Sequence, residues 1–198
     1  MIKLYDVELS GNCYKVRLFA ALAKIPMELC PVDLAAGEQM REQFLTLNPW
    51  AQVPLLVDGD VVLRDSHAIL LYLAARYGTP EWWPSDAVSQ GRIMQWLSTS
   101  AGEIQNGPAS ARLVEKFGYS LNKPDAVRRS ANILRLIEAH LARNEWLELG
   151  RPTIADCAVF PYIAWAPEGS VSLEPYPAIR AWIGRIKLLP GFLPAPGI

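Results

Sequence analysis

Asn48-Pro49-Trp50-Ala51-Gln52-Val53-Pro54-Leu55-Leu56-Val57-Asp58-Gly59-Asp60-Val61-Val62-Leu63-Arg64-Asp65-Ser66 is the stretch on which the fold turns. Two short apolar runs, Pro54–Val57 and Val61–Leu63, flank Asp58-Gly59-Asp60. An Asp-Gly between apolar runs predicts a β-hairpin, because glycine and aspartate tolerate the positive φ that such turns need. Directly after it, Ile69, Leu70, Tyr72 and Leu73 recur at helical spacing, which predicts a helix from about Ser66 to Tyr77.

Before the hairpin, residues 2–7 alternate as a strand, and Ser10-Gly11-Asn12 turns the chain. Val16, Phe19, Ala20 and Ala23 then mark a helix that Pro26 ends. Met27, Leu29 and Pro31 alternate with Glu28 and Cys30 as an edge strand, and residues 38–47 are polar and helix-like. The order strand, helix, strand, helix, strand, strand, helix predicts an α/β unit with a four-stranded mixed sheet over residues 1–77. Residues 78–85 (Gly-Thr-Pro-Glu-Trp-Trp-Pro-Ser) form a linker that Trp82-Trp83 buries. Residues 86–198 then read as an all-helical unit, with helices at about 86–106, 109–117, 124–144, 154–164 and 176–188. Thr153-Ile154-Ala155-Asp156 has the capping-box pattern. The Thr153 hydroxyl is expected to accept from the Asp156 amide, and the Asp156 carboxylate from the Thr153 amide.

The 198 residues are 51% hydrophobic and 20% charged, with a formal charge of −1, so neither disorder nor an electrostatic footprint for nucleic acid or an anionic membrane is written here. Asp6 interrupts the place of a signal sequence, and no apolar run approaches the roughly 20 residues that a bilayer needs. A cytoplasmic protein is expected. Cys13, Cys30 and Cys157 are too few and too widely spaced for a disulfide framework or a Cys-x-x-Cys pair, and two histidines make no metal site. His67 is expected on the surface of a first helical turn, and His140 on a helix surface.

Three patterns in order resemble the cytosolic glutathione transferases, of the serine type (theta- and zeta-like): Ser10-Gly11-Asn12-Cys13-Tyr14-Lys15-Val16, Asn48-Pro49-Trp50-Ala51-Gln52-Val53-Pro54, and Asp65-Ser66-His67-Ala68-Ile69. With the Thr153–Asp156 cap they span nearly the whole chain. The resemblance implies a thioredoxin-like glutathione-binding half and a helical half that shapes a pocket for a second, electrophilic substrate. It implies glutathione as co-substrate, no metal or redox cofactor, and transfer of the thiol to a hydrophobic electrophile.

Chemistry and resemblance meet at Ser10. A free thiol is only a few per cent ionised at neutral pH, yet the thiolate is the nucleophile. A hydroxyl at a helix N-terminus can hold that anion, or it can simply cap the helix. Asn12 carries the same two alternatives: an amide donor to sulfur, or a cap. Cys13 is read as buried and inert; the alternatives are a glutathione-dependent disulfide reductase or peroxidase using Cys13 or the glutathione thiolate itself, a zeta-like isomerase, and a non-catalytic glutathione- or hydrophobe-binding protein. The resemblance gives Val53 a main-chain role beside a cis Val53–Pro54 bond, Asp65 the γ-glutamyl ammonium, and Ser66 the γ-glutamyl carboxylate. Gln39 and Gln52 stand where theta-type enzymes place a His and a Lys against the glycyl carboxylate. Asn106, Arg112 and Trp165 are candidates for lining the second-substrate pocket, which is expected to be open for want of a long C-terminal lid. A homodimer is implied. Leu70, Leu71, Ile93, Met94, Trp96 and Leu97 are its candidate interface, and Glu103 or Gln105 its candidate reach into the neighbour's site.

Overall fold

The computed structural model describes residues 1–198. The first half runs β1 (Ile2–Asp6), α1 (Gly11–Leu22), β2 (Met27–Pro31), a 3-10 turn (Glu38–Met40), α2 (Glu42–Leu47), β3 (Leu55–Asp58), β4 (Val61–Arg64) and α3 (Ser66–Tyr77). The sheet order is β2-β1-β3-β4. β1 and β2 are parallel, with Leu4 opposite Leu29, whereas β3 pairs antiparallel with β1 and β4. β2 is an edge strand, where Pro31 removes no interior ladder bond. The hairpin is the predicted one, with Gly59 at φ 59°.

The second half contains α4 (Ala87–Thr99), a π-helical segment (Ser100–Ala109), α5 (Ser110–Phe117), α6 (Lys123–Leu141), α7 (Ile154–Ala164), a 3-10 turn (Ala166–Gly169) and α8 (Pro177–Lys187). The sequence suggested a break between two helices near residue 107. The structure instead carries the chain through as a wide π turn that kinks at Gly107 (φ −106°, ψ −105°) ahead of Pro108. Proline has no N–H to give the ladder. A side chain at Gly107 would sit 3.2 Å from the Ser130 amide, so glycine lets α6 approach.

One core cluster of 40 buried residues, from Ile2 to Ile186, runs through both halves without interruption. α1 is its axle, packed between α3 and α7. Trp82 of the linker meets Phe19 edge-on at 5.3 Å between ring centroids. Asp156 does more than cap α7. Its carboxylate accepts from the Thr153 amide (2.9 Å), the Leu147 amide (3.3 Å) and Trp182 Nε1 (2.9 Å). Burial still raises its carboxyl to about 6. The expected capping box is present, with the Thr153 side chain on the Asp156 amide and the Asp156 carboxylate on the Thr153 amide, and the Thr153 hydroxyl also accepts from the Ala155 amide at 3.2 Å.

Two expectations about surfaces are corrected. His67 is 9% exposed, because the first turn of α3 faces α1 rather than solvent. Of the six residues expected at an interface, Leu70, Ile93 and Leu97 lie in the core, Leu71 and Trp96 are partly buried, and Met94 alone stands exposed. The apolar side chains left outside near the hairpin are Trp50, Val61 and Val62.

Candidate functional site

The N-termini of α1 and α3 come together. Ser10, in an extended conformation (φ −77°, ψ 121°), is the N-cap of α1, and its Oγ accepts from the Cys13 amide at 3.3 Å. That bond uses one lone pair of the oxygen and does not engage the hydroxyl proton. Asn12 is therefore not the cap. Its Oδ1 lies 3.5 Å from Ser66 Oγ, so two motifs 54 residues apart in sequence meet here.

Asp65 is the N-cap of α3, held at φ 72°. That region costs a non-glycine residue about 1–3 kcal/mol and is found where a site imposes it. Its Oδ1 accepts from the His67 amide (2.9 Å) and the Ala68 amide (3.0 Å), and its main-chain carbonyl takes the Ile69 amide at 3.0 Å. Oδ2 has no protein partner. Nor does the Ser66 amide, the remaining donor of the first turn. The His67 side chain, then the amides behind it, hold the Asp65 carboxyl at about 2, so it is ionised at neutral pH. A free carboxylate oxygen beside a free helix-terminal amide suits a ligand end that carries an ammonium and a carboxylate.

The Val53–Pro54 peptide is cis. Val53 precedes the ladder, whose first pairing in β3 is Leu55 with Tyr5. The buried Asn48 organises this loop, donating to the Gln52 carbonyl (2.8 Å) and accepting from the Trp50 amide (3.1 Å). Gln52 is exposed, while Gln39 is half-buried with its Oε1 shielded and unpartnered.

Cys13 lies in the first turn of α1, beside Ser10. It is fully buried, and desolvation pushes its thiol up to about 12. Such a thiol supplies no thiolate at neutral pH.

From the helical half, Arg112 and Trp165 are buried at 2% and 0% exposure and offer no open surface. Arg112 donates from Nε to Glu168 (2.6 Å) and from Nη1 to the Leu9 carbonyl (2.9 Å), and stacks 4.1 Å from the Trp165 ring. The tail folds over Trp165, whose Nε1 donates to the Pro196 carbonyl at 2.9 Å. Both residues hold the joint between the halves. Asn106 is exposed, with its amide turned back to the Gly102 carbonyl at 2.8 Å. Tyr162 was missed in the sequence. Its ring lies where a side chain on Gly11 would sit, 2.5 Å away, so it backs the turn that carries Ser10. The only sequence trace of it is the glycine itself.

Two family models match the chain. The N-terminal domain model of glutathione S-transferases matches residues 4–81, and the C-terminal domain model residues 94–190. The chain belongs to the glutathione S-transferase family. Glutathione S-transferase theta-3 of Mus musculus is 39% identical over 94% of this chain and 82% of its own. A possible glutathione S-transferase from Rhodopseudomonas palustris superposes with TM-score 0.90 at 32% identity, covering 98% of this chain and 97% of that one. A glutathione transferase homolog from Drosophila mojavensis, solved with bound glutathione, superposes with TM-score 0.85 at 28% identity, covering 96% and 88%. The four-stranded mixed sheet followed by a helical half is the glutathione S-transferase fold. No helix is long and apolar enough to cross a membrane.

Proposed function

We propose that this glutathione S-transferase binds glutathione across the N-termini of α1 and α3, ionises its thiol, and joins the sulfur to small hydrophobic electrophiles. The observation that carries the reading is the meeting of Ser10 and Asn12 with Asp65 and Ser66, each with a donor or acceptor left free. The Asp65 Oδ2 takes the γ-glutamyl ammonium and the Ser66 amide its carboxylate. The main chain of Val53 pairs with the cysteinyl unit. Ser10 Oγ–H then donates to the sulfur, with the positive end of α1 behind it. The Asn12 side-chain amide is a second donor at the same mouth. Gln39 and Gln52 are neutral partners for the glycyl carboxylate. The thiol proton leaves to solvent as the thiolate forms, and catalysis consists of holding that thiolate and placing the electrophile near it. In a substitution the new carbon–sulfur bond expels the halide, and in an addition to an enal the carbanion takes a proton from water.

Residues 1–77 supply the glutathione site and residues 86–198 the second pocket, with the linker at 78–85 between them. Asn106, on the exposed side of the π segment, is a lining residue of that pocket, whereas Arg112 and Trp165 shape it from behind. The buried Cys13 thiol weighs against disulfide exchange through that residue. Glutathione acts as co-substrate with no other cofactor. A cytoplasmic homodimer completes the reading, supported by the apolar Trp50, Val61 and Val62 at the hairpin and Met94 on α4. Sedimentation at micromolar concentration tests it; a fully active species at 22.0 kDa would refute the dimer.

A panel of aryl halides, enals and peroxides assayed with glutathione tests the activity. Conjugation of at least one carbon electrophile is expected. Peroxide or disulfide reduction without any conjugation would overturn the reading.

A further inference from the structure

Lys15 is the one lysine of α1, and it is completely buried. No carboxylate comes within salt-bridge distance of its Nζ. A cation in that position is costly, and burial accordingly pulls its ammonium down to about 7. Nothing in the chemistry of the thiol uses it. Its contacts are nonetheless specific and directional. Ser100 Oγ donates to the Ala158 carbonyl at 2.8 Å, so its lone pair is what Lys15 Nζ meets at 3.0 Å, with Lys15 as donor. Nζ also lies 3.2 Å from His67 Nε2, and 5.3 Å from the centre of the Tyr162 ring. His67 Nδ1 lies 3.6 Å from Asp65 Oδ1.

These contacts fix the imidazole. With Lys15 donating into Nε2, the neutral ring carries its proton on Nδ1, the side that faces Asp65. Oδ1 then takes the Nδ1–H dipole together with the amides of His67 and Ala68. All three pull on one oxygen and leave Oδ2 clear. The line from Ala158 through Ser100, Lys15 and His67 to Asp65 crosses from the helical half to the start of α3.

We propose that Lys15 is a positioning residue for glutathione: it locks His67 as the Nδ1–H tautomer, and His67 holds Asp65 with Oδ2 turned to the γ-glutamyl ammonium. This rests on reading Asp65 as the γ-glutamyl anchor. Without Lys15 the ring is free to take the Nε2–H tautomer, which turns a lone pair toward the carboxylate and repels it. The second role of Lys15 is mechanical, since Ser100 opens the π segment and ties the anchor to the helical half.

The test compares wild type with Lys15→Met, an apolar side chain of similar length. S-methylglutathione, which has no thiol, reports on the anchor alone by calorimetry. Its Kd is expected to rise about fivefold in the variant, as for loss of one hydrogen bond's worth of alignment. In turnover the change falls on KM for glutathione, with kcat lowered less than about twofold, because the γ-glutamyl end is bound equally in ground and transition states. Nitrogen-15 NMR of the wild-type imidazoles supplies a measurement that stands even if the variant fails to fold. His67 is expected as Nδ1–H in wild type and with a measurable Nε2–H fraction in the variant. An unchanged Kd in Lys15→Met, or a wild-type His67 in the Nε2–H form, overturns the proposal while leaving the glutathione site intact. Failure of wild type itself to bind S-methylglutathione would instead overturn the site, and this inference with it.

Discussion

Replacing Lys15 by methionine should also make the protein more stable, and by an amount that depends on pH. Lys15 falls from an ordinary 10.5 to about 7 because it is desolvated, a drop of about 3.5. At about 1.4 kcal/mol per unit, burying the charged form costs up to about 5 kcal/mol. The hydrogen bonds to Ser100 and His67 offset about 1 kcal/mol each, leaving about 3 kcal/mol. Below pH 7 the lysine is protonated in both folded and unfolded chains, so the penalty is fully present. Between about 7 and 10.5 the folded state has lost the proton and the unfolded state has not. Unfolding then takes up a proton, and wild-type stability rises with pH. The titratable groups facing Lys15 are His67 and Asp65 on α3 and Tyr162 on α7; burial raises Tyr162 to about 12, outside the window. Subtracting variant from wild type cancels titrations remote from Lys15; His67, held below its ordinary value by burial and in part by the Lys15 charge, regains some of its proton affinity in the variant. Urea unfolding at pH 6, 7.5 and 9, at one protein concentration, measures the difference. The variant should lead by about 3 kcal/mol at pH 6, and the lead should fall mainly above pH 7, most of it gone by pH 9. A lead that does not change with pH would refute the argument that the buried ammonium carries the penalty.

Cys13→Ala should leave conjugation within about threefold of wild type, since the thiol is buried and protonated; rapid labelling of Cys13 in the folded protein would contradict this. Asp65→Ala should raise KM for glutathione by about 1.5–3 kcal/mol of binding while sparing kcat, and an unchanged KM would move the γ-glutamyl end elsewhere. In Gly11→Ala the new methyl meets the Tyr162 ring 2.5 Å away, so the ring must move. Thermal melting should show a loss of about 1–3 kcal/mol, and an unperturbed melt would mean that Tyr162 does not back the turn.

What could be read from the sequence was local. The Asp58-Gly59-Asp60 turn, the start of α3 at Ser66 and the cap at Thr153 each depend on residues within a few positions, and each lies where the pattern puts it. Family membership was legible for the same reason, because its three motifs are short and contiguous. The burial of His67 was not, since helical spacing cannot tell which neighbour a first turn faces; here it faces α1 and a lysine 52 residues earlier. Arg112 and Trp165 are polar-tipped residues that in sequence look fit to line a cavity. Only the folded tail and Glu168 show that their tips are already satisfied, apart from the unpartnered Arg112 Nη2. The helix bounds at about 106 and 109 put a break there, but whether the chain ends a helix or widens into a π turn depends on the close pass of α6 at Gly107.

The central claim is that the Ser10 hydroxyl keeps the bound thiol ionised. The direct measurement is the ultraviolet thiolate band of enzyme-bound glutathione, titrated against pH in wild type and in Ser10→Ala. Wild type should hold the thiol well below its free value, with the thiolate already formed near neutrality. In the variant glutathione should still bind, the titration should move toward the free value, and kcat should fall by about 10- to 1000-fold. A thiolate band in Ser10→Ala that titrates with wild type would contradict the account.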